Sequence, residues 1–229
     1  MSVKIIELVG IPGCGKSTLV RELLKDLTTT GTIVVDRKSI SAVIDFMWKH
    51  RWSIPIIAIC FYIFTGNFRL KHALIKYMLA FPKNDFSAMY AIYVYIIYRF
   101  VSKNNNSEVV VLLDEGIIQF LSSIAHDVPI EQSSHILQLS KQLKDIVANT
   151  IYVQCGIPIE DALQRIKLRN KRDRFSYSSH LKDLLLIKQA NLTFLLNTAV
   201  PKFNIIEVDM TKSVLINKDI VIKKIKDYV

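Results

Sequence analysis

Residues 10–17 read Gly-Ile-Pro-Gly-Cys-Gly-Lys-Ser, a match at every required position to the pattern G-x-x-x-x-G-K-[ST]. The pattern restricts the fold because it works only between a strand and a helix. Both are expected here: the apolar run Ile5 to Val9 leads into it, and Lys16 to Leu27 leaves it with apolar residues at helical spacing. Gly10, Gly13 and Gly15 allow positive φ and close approach to a phosphate, so that successive N–H groups at a helix start can surround its oxygens. Lys16 then supplies a point charge for the β- and γ-phosphates, and the Ser17 hydroxyl a ligand for magnesium. Gly10, Ile11, Pro12, Gly13, Cys14, Gly15, Lys16, Ser17 and Thr18 form the expected nucleotide-binding segment. Cys14 is read mainly as a small residue that fits the loop, although a helix N-terminus also lowers a thiol pKa.

A second stretch answers the first. After the polar break Lys103-Asn-Asn-Asn-Ser107, the β-formers Val109 to Leu113 run into Asp114-Glu115-Gly116. A buried strand ending in an acid delivers a carboxylate to the mouth of the crevice beside the magnesium. Asp114 is the expected magnesium residue, usually through water, and Glu115 a candidate for orienting a nucleophile or a substrate hydroxyl. Gly116 permits close backbone approach, or a turn. Between the two stretches, Thr32 to Val35 is an expected strand followed by Asp36 and Arg37. The carboxyl end of a parallel strand faces the ligand crevice, so both are candidate substrate contacts, with a helix cap or surface pair as the alternative.

The chain is 229 residues long, enough for one α/β domain carrying an insertion. The insertion is expected over residues 40–105, where helical segments at Ile40–His50, Ile54–Phe64, Asn67–Phe81 and Ser87–Val101 replace strand–helix alternation. Trp52 to Phe68 is uncharged but contains Pro55, Gly66 and Asn67 and is shorter than the roughly 20 residues a spanning helix wants. A helical substrate lobe is favoured over a membrane-docking surface, and both over a true span. The aromatic series Tyr90 to Phe100 fits core packing better than ring stacking. Basic Arg69, Lys71, His72 and Lys76 fit a solvated face or an anion contact.

Beyond Asp114, helices are expected over Ile117–Ala125 and Glu131–Ala148, then a strand over Thr150–Gln154. A further helix opens after Gly156-Ile-Pro-Ile-Glu160 and runs into Arg169-Asn-Lys-Arg172-Asp-Arg174-Phe175. Helix Ser178–Thr198, strand Phe203–Val208 and helix Val214–Tyr228 close the chain. The N-terminal loop, the insertion, the acid-terminated strand and this arginine-rich segment together resemble the thymidylate kinase and deoxynucleoside kinase branch of the P-loop kinases. The likeness covers about 1–38 and 107–210. It implies a three-layer α/β sandwich with a five-stranded parallel sheet, ATP and Mg2+ as donor, and lid arginines closing on the phosphates. By position, Arg165, Arg169, Arg172 and Arg174 would be that set, Arg165 on the nucleotide and Arg169 and Arg172 on the transferring group. The resemblance also places adenine near residues 209–213.

With 30 basic against 20 acidic residues, the net charge of +10 favours an anionic partner. The expected function is transfer of the γ-phosphoryl group of ATP to a small acceptor, a nucleoside or nucleoside monophosphate first. A sugar or lipid-linked acceptor, an NTP hydrolase acting as a switch, and a nucleic-acid or membrane-binding module are the alternatives. Lys16, Asp114, Glu115, Arg169, Arg172 and Asp36 are the expected catalytic residues. Ser17 and Asp114 are the expected metal residues, and Asp36 or Glu115 would serve as base for a hydroxyl acceptor. Nucleic acid is not the expected partner; a homodimer and peripheral membrane contact through 40–100 stay open. Cys14, Cys60 and Cys155 are too widely spaced to suggest a disulfide framework or a zinc site, and no signal-peptide architecture is evident, so the cytoplasm is the expected compartment.

Overall fold

The computed structural model describes residues 4–29, 33–35, 109–125, 129–132, 136–137, 140–141, 143, 147–148, 150–169 and 180–227. The segment 40–105, Asp36, Arg37, Arg172 and Arg174 lie outside the described residues, and with them every expectation placed there.

The sequence of elements is β1 (Lys4–Val9), α1 (Lys16–Thr29), β2 (Ile33–Val35), β3 (Val109–Leu113), α2 (Ile117–Ile124), β4 (Thr150–Gly156), α3 (Ile159–Leu168), α4 (Leu181–Ala199), β5 (Ile205–Asp209) and α5 (Val214–Asp227). Strands β1, β3 and β4 are mostly β-branched and aliphatic with almost no alternation, the pattern of strands covered on both faces, whereas β5 at the sheet edge alternates buried and exposed. Accordingly Ile6, Leu8, Leu112 and Val153 are fully buried. They form one five-stranded sheet in the order β2-β3-β1-β4-β5, with every pairing parallel.

That order puts β1 at the centre. The chain leaves β1 toward β3 on one side and later returns to pair β4 on the other, so a topological switch point falls where β1 ends. Parallel pairing lines up the carboxyl ends, with Glu7 opposite Leu113 and Val9 opposite Gln154. The loop after β1 therefore opens at the middle of the carboxyl edge, flanked by the ends of β3 and β4.

Helices cover both faces. On one, α1 packs against α5, joined at the surface by Lys218 Nζ to Asp26 at 2.8 Å; on the other, α4 packs against α2 and α3. Leu19 and Leu23 of α1, Leu121 of α2 and Leu185 and Leu195 of α4 carry the apolar faces inward. The helix expected over Glu131–Ala148 opens instead with a 3-10 turn at Ile130–Gln132, and the described residues 136–137, 140–141 and 147–148 are helical. Asn191 in α4 accepts the Ile130 N–H at 2.9 Å, pinning that turn. No helix among the described residues is long and apolar enough to cross a membrane.

Candidate functional site

The loop from Gly10 to Gly15 is built as its residues require. Gly13 and Gly15 have φ of +83° and +103°, where a side chain costs free energy and glycine does not. A Cβ at Gly13 would also stand 2.6 Å from the Ala162 carbonyl oxygen of α3. The loop thus lies directly on α3, and Ile11 and Cys14 are buried beneath it. Helix α1 begins at Lys16, and the N–H groups of Thr18 and Leu19 already bond to Gly15 O. Ahead of them, the amides of Cys14 and Lys16 are already engaged, on Ile11 O at 3.3 Å and on the Cys14 sulfur, and the helix start offers the rest to an anion.

Lys16 folds back over the loop. Its Nζ donates to Gly10 O at 2.6 Å and Ile11 O at 3.3 Å, and lies 3.7 Å from Cys14 Sγ. These carbonyls hold the ammonium at the loop mouth. Ser17 is exposed in the first turn of α1, and Thr18 is half-buried beside it. Asp114 is buried at the end of β3, next to the strand that carries the loop, and Glu115 is half-buried after it. A hydroxyl and a carboxylate are hard oxygen donors of the kind magnesium accepts alongside phosphate and water. Among the described residues no three His, Cys, Asp or Glu side chains cluster as a self-sufficient metal site. A metal held partly by its nucleotide needs no such cluster.

Glu7 was legible only as an acid interrupting an apolar strand, and the structure makes it a keystone. It is fully buried, and its carboxylate accepts the backbone N–H groups of Gln119 at 2.9 Å and Ile118 at 3.3 Å. Helix α2 has no side-chain cap of its own at Gly116. Glu7 supplies one from across the sheet, in the orientation a helix N-terminus favours for a negative group. Burial raises its pKa to about 7 against the opposing pull of the N–H groups. Gly116 is required by this arrangement, because a Cβ there would overlap the Glu7 carboxyl group. Buried Gln119 extends the link: its Oε1 accepts the N–H of Gly10, the first residue of the loop. The turn after Asp114 and the phosphate loop are thereby tied through two side chains. A charged residue inside a central strand was the one available signal.

Arg165 lies within α3, and its guanidinium donates to Cys14 O at 3.2 Å and Met210 O at 2.9 Å. It braces the phosphate loop against the segment after β5. That segment is itself ordered: Asp209 accepts from the Thr211 hydroxyl at 2.6 Å and N–H at 3.0 Å, which lowers its pKa, and Asn217 donates to Asp209 O at 2.8 Å. Met210 reaches the loop as well, its terminal methyl 3.0 Å from where a Gly15 Cβ would be. Residues 209–213 therefore sit beside the loop. Arg169, just past α3, is exposed.

Cys14 is buried in the loop with Lys16 beside it. Its pKa is lowered to about 5, first by a hydrogen bond with the Cys155 thiol and then by the nearby Lys16 charge, against the effect of burial. The partner, Cys155, is pushed upward by the same contact and by burial, and its thiol donates to Val153 O at 3.7 Å.

Parallel β2-β3-β1-β4-β5 order, a phosphate loop at the switch point and an acid on the adjacent strand define an α/β P-loop nucleotide-binding fold. Solved structures with a similar fold include deoxyadenosine kinase from M. mycoides, determined with the products dCMP and a flexible dCDP bound and, separately, with dATP bound. Each is 14% identical over 97% of this chain and 99% of the other, with a TM-score of 0.54. No protein-family model matches the chain, and no curated protein is a sequence relative.

Proposed function

We propose that this chain is a nucleoside kinase, moving the γ-phosphoryl group of ATP to a nucleoside or nucleoside monophosphate. The observation that carries the reading is the built phosphate loop at the centre of the carboxyl edge, with Lys16 at its mouth and Asp114 on the neighbouring strand. The likeness in fold to deoxyadenosine kinase structures supports the acceptor class.

In this reading the remaining amides of Gly13 to Ser17 receive the phosphate oxygens, and Lys16 exchanges the Gly10 and Ile11 carbonyls for the β- and γ-phosphates. Magnesium, held by Ser17 and by Asp114 through water, would neutralise charge on the transferring group. Arg165 and the 209–213 segment flank the loop where the base of the donor would extend. Arg169 and Arg172 would close over the phosphates. A hydroxyl acceptor calls for a carboxylate base, Glu115 or Asp36, whereas a phosphate acceptor is already ionised. Positioning and charge stabilisation then supply most of the rate.

The test is ADP release from ATP and magnesium across a panel of nucleosides, nucleoside monophosphates and sugars. Acceptor-dependent release with a nucleoside or monophosphate, lost by about 100-fold or more in Lys16→Ala, is the expected result. Acceptor-independent hydrolysis would instead mark an NTPase, and a fully active Lys16→Ala would remove the site altogether.

A further inference from the structure

Cys14 lies in the phosphate loop, and Cys155 is the penultimate residue of β4. They are 141 positions apart in the chain, from the numbering 155 against 14, yet both lie against the side of Gly10 on which a Cβ would project. A Cβ built on Gly10 would lie 2.8 Å from Cys14 Sγ, 2.9 Å from Cys155 O and 3.1 Å from Cys155 Cβ. Both thiols are buried and neither is in a disulfide. Lys16 Nζ stands 3.7 Å from Cys14 Sγ and favours its thiolate, while the Cys14 sulfur and burial push the Cys155 thiol up, its Sγ lying 3.7 Å from Val153 O. A thiolate beside a cation with a second thiol in contact is the arrangement of an attacking and a resolving cysteine.

We propose that Cys14 and Cys155 form a reversible disulfide that switches off the phosphate loop, with a hydroperoxide as oxidant. The switch regulates the nucleotide site described above and rests on that reading for its effect, though not for its chemistry. The Cys14 thiolate attacks a peroxide oxygen; the O–O bond breaks, and the leaving oxygen takes a proton from solvent. The Cys14 sulfenic acid that results is attacked at sulfur by Cys155. The S–O bond breaks, and hydroxide leaves with the Cys155 proton as water. Two thiols are oxidised by two electrons, and one hydrogen peroxide is reduced to two waters.

The bond affects the loop because there is little slack around it. A disulfide holds its sulfurs about 2.05 Å apart, much closer than two sulfurs in van der Waals contact, so closing it draws Cys14 and the loop that carries it toward β4. Cys155 is held in β4 by its pairing with β5, and Gly10 lies against both cysteines, with no room for a Cβ beside them. Gly13 already abuts Ala162, so the displacement falls on the Gly13–Gly15 turn that leads into α1. A shift of about 1 Å in such a cradle is worth on the order of 100-fold in function. By linkage, nucleotide bound in the loop resists disulfide closure to the same degree that closure weakens nucleotide binding.

The experiment treats the full chain with hydrogen peroxide, with and without ATP and magnesium, and maps disulfides in a non-reducing digest by mass spectrometry. ATP binding is measured calorimetrically before oxidation, after it, and after dithiothreitol. Expected are a 14–155 linked peptide, slower linking when ATP is present, and affinity lower by at least about 10-fold that dithiothreitol restores. In Cys155→Ala that reversible loss should vanish. A digest without the linked peptide, or with Cys60 joined to either cysteine in its place, overturns the site. A linked protein that binds ATP as before overturns the regulation. The digest reads the disulfide with no nucleotide present, so a chain that forms it but never binds ATP defeats the proposed kinase function and leaves the dithiol chemistry standing.

Discussion

Glu7 carries the most information per atom in this molecule. Its pKa of about 7 lies above the ordinary carboxyl value near 4.5, so the folded state holds its proton more tightly than the unfolded chain does. The stability this contributes is complete below about pH 4.5 and is lost as pH rises through about 7. The unfolding free energy from urea titrations should therefore fall between pH 5 and 7.5, by an amount on the order of 3 kcal/mol, and flatten above. Glu7→Gln should flatten the profile over that window while lowering stability throughout, by about 1–3 kcal/mol, because an amide NH2 faces backbone N–H donors. A wild-type profile that rises with pH across this window would refute the assignment. Gly13→Ala is the complementary test of backbone conformation. At φ +83° and 2.6 Å from the Ala162 carbonyl, the new methyl should cost about 1–3 kcal/mol in urea unfolding. ATP affinity, measured alongside, should fall with it.

Helix α3 does two jobs. Its Ala162 carbonyl packs under the phosphate loop, and its Arg165 reaches across to bond Cys14 O and Met210 O. An arginine placed so holds the loop and the 209–213 segment at a set spacing. Arg165→Ala should therefore raise the KM for ATP by about 10-fold or more, since charged hydrogen bonds are worth roughly 1.5–3 kcal/mol each. Arg165→Lys should recover only part, because one ammonium does not span both carbonyls as a fork does. Steady-state kinetics over an ATP series at saturating acceptor decides it: an unchanged KM in Arg165→Ala would show the brace to be dispensable. Helix α2 is the counterpart on the other side of β1, tied to the strand by Glu7 and to the loop by Gln119.

The whole molecule brings these parts to one edge because all five strands run parallel and β1 lies between β3 and β4. A ligand seated there touches elements from both halves of the sheet, so it should stabilise the fold globally. ATP with magnesium at about 100 times its Kd should add about 2.7 kcal/mol to unfolding free energy. Differential scanning fluorimetry should show the midpoint rising with ATP in wild type and hardly moving in Lys16→Ala. A midpoint indifferent to ATP in wild type would count against nucleotide binding at this edge.

What was legible in the sequence was whatever depends on residues near one another in the chain. The Gly10–Ser17 loop, its flanking strand and helix, the apolar run ending at Asp114 and the general course of the last helices and strands all follow from local periodicity and from glycine at fixed spacing. The five-stranded parallel sheet came with the family resemblance. What only the tertiary structure decided are the contacts across long separations. Glu7 capping α2, Gln119 on Gly10, Arg165 bridging Cys14 and Met210, and Cys14 beside Cys155 join residues that no spacing rule connects. The physical reason is that a motif records what a short stretch of backbone must do, whereas the cost of burying a charge or thiol is met by whichever distant group the fold delivers.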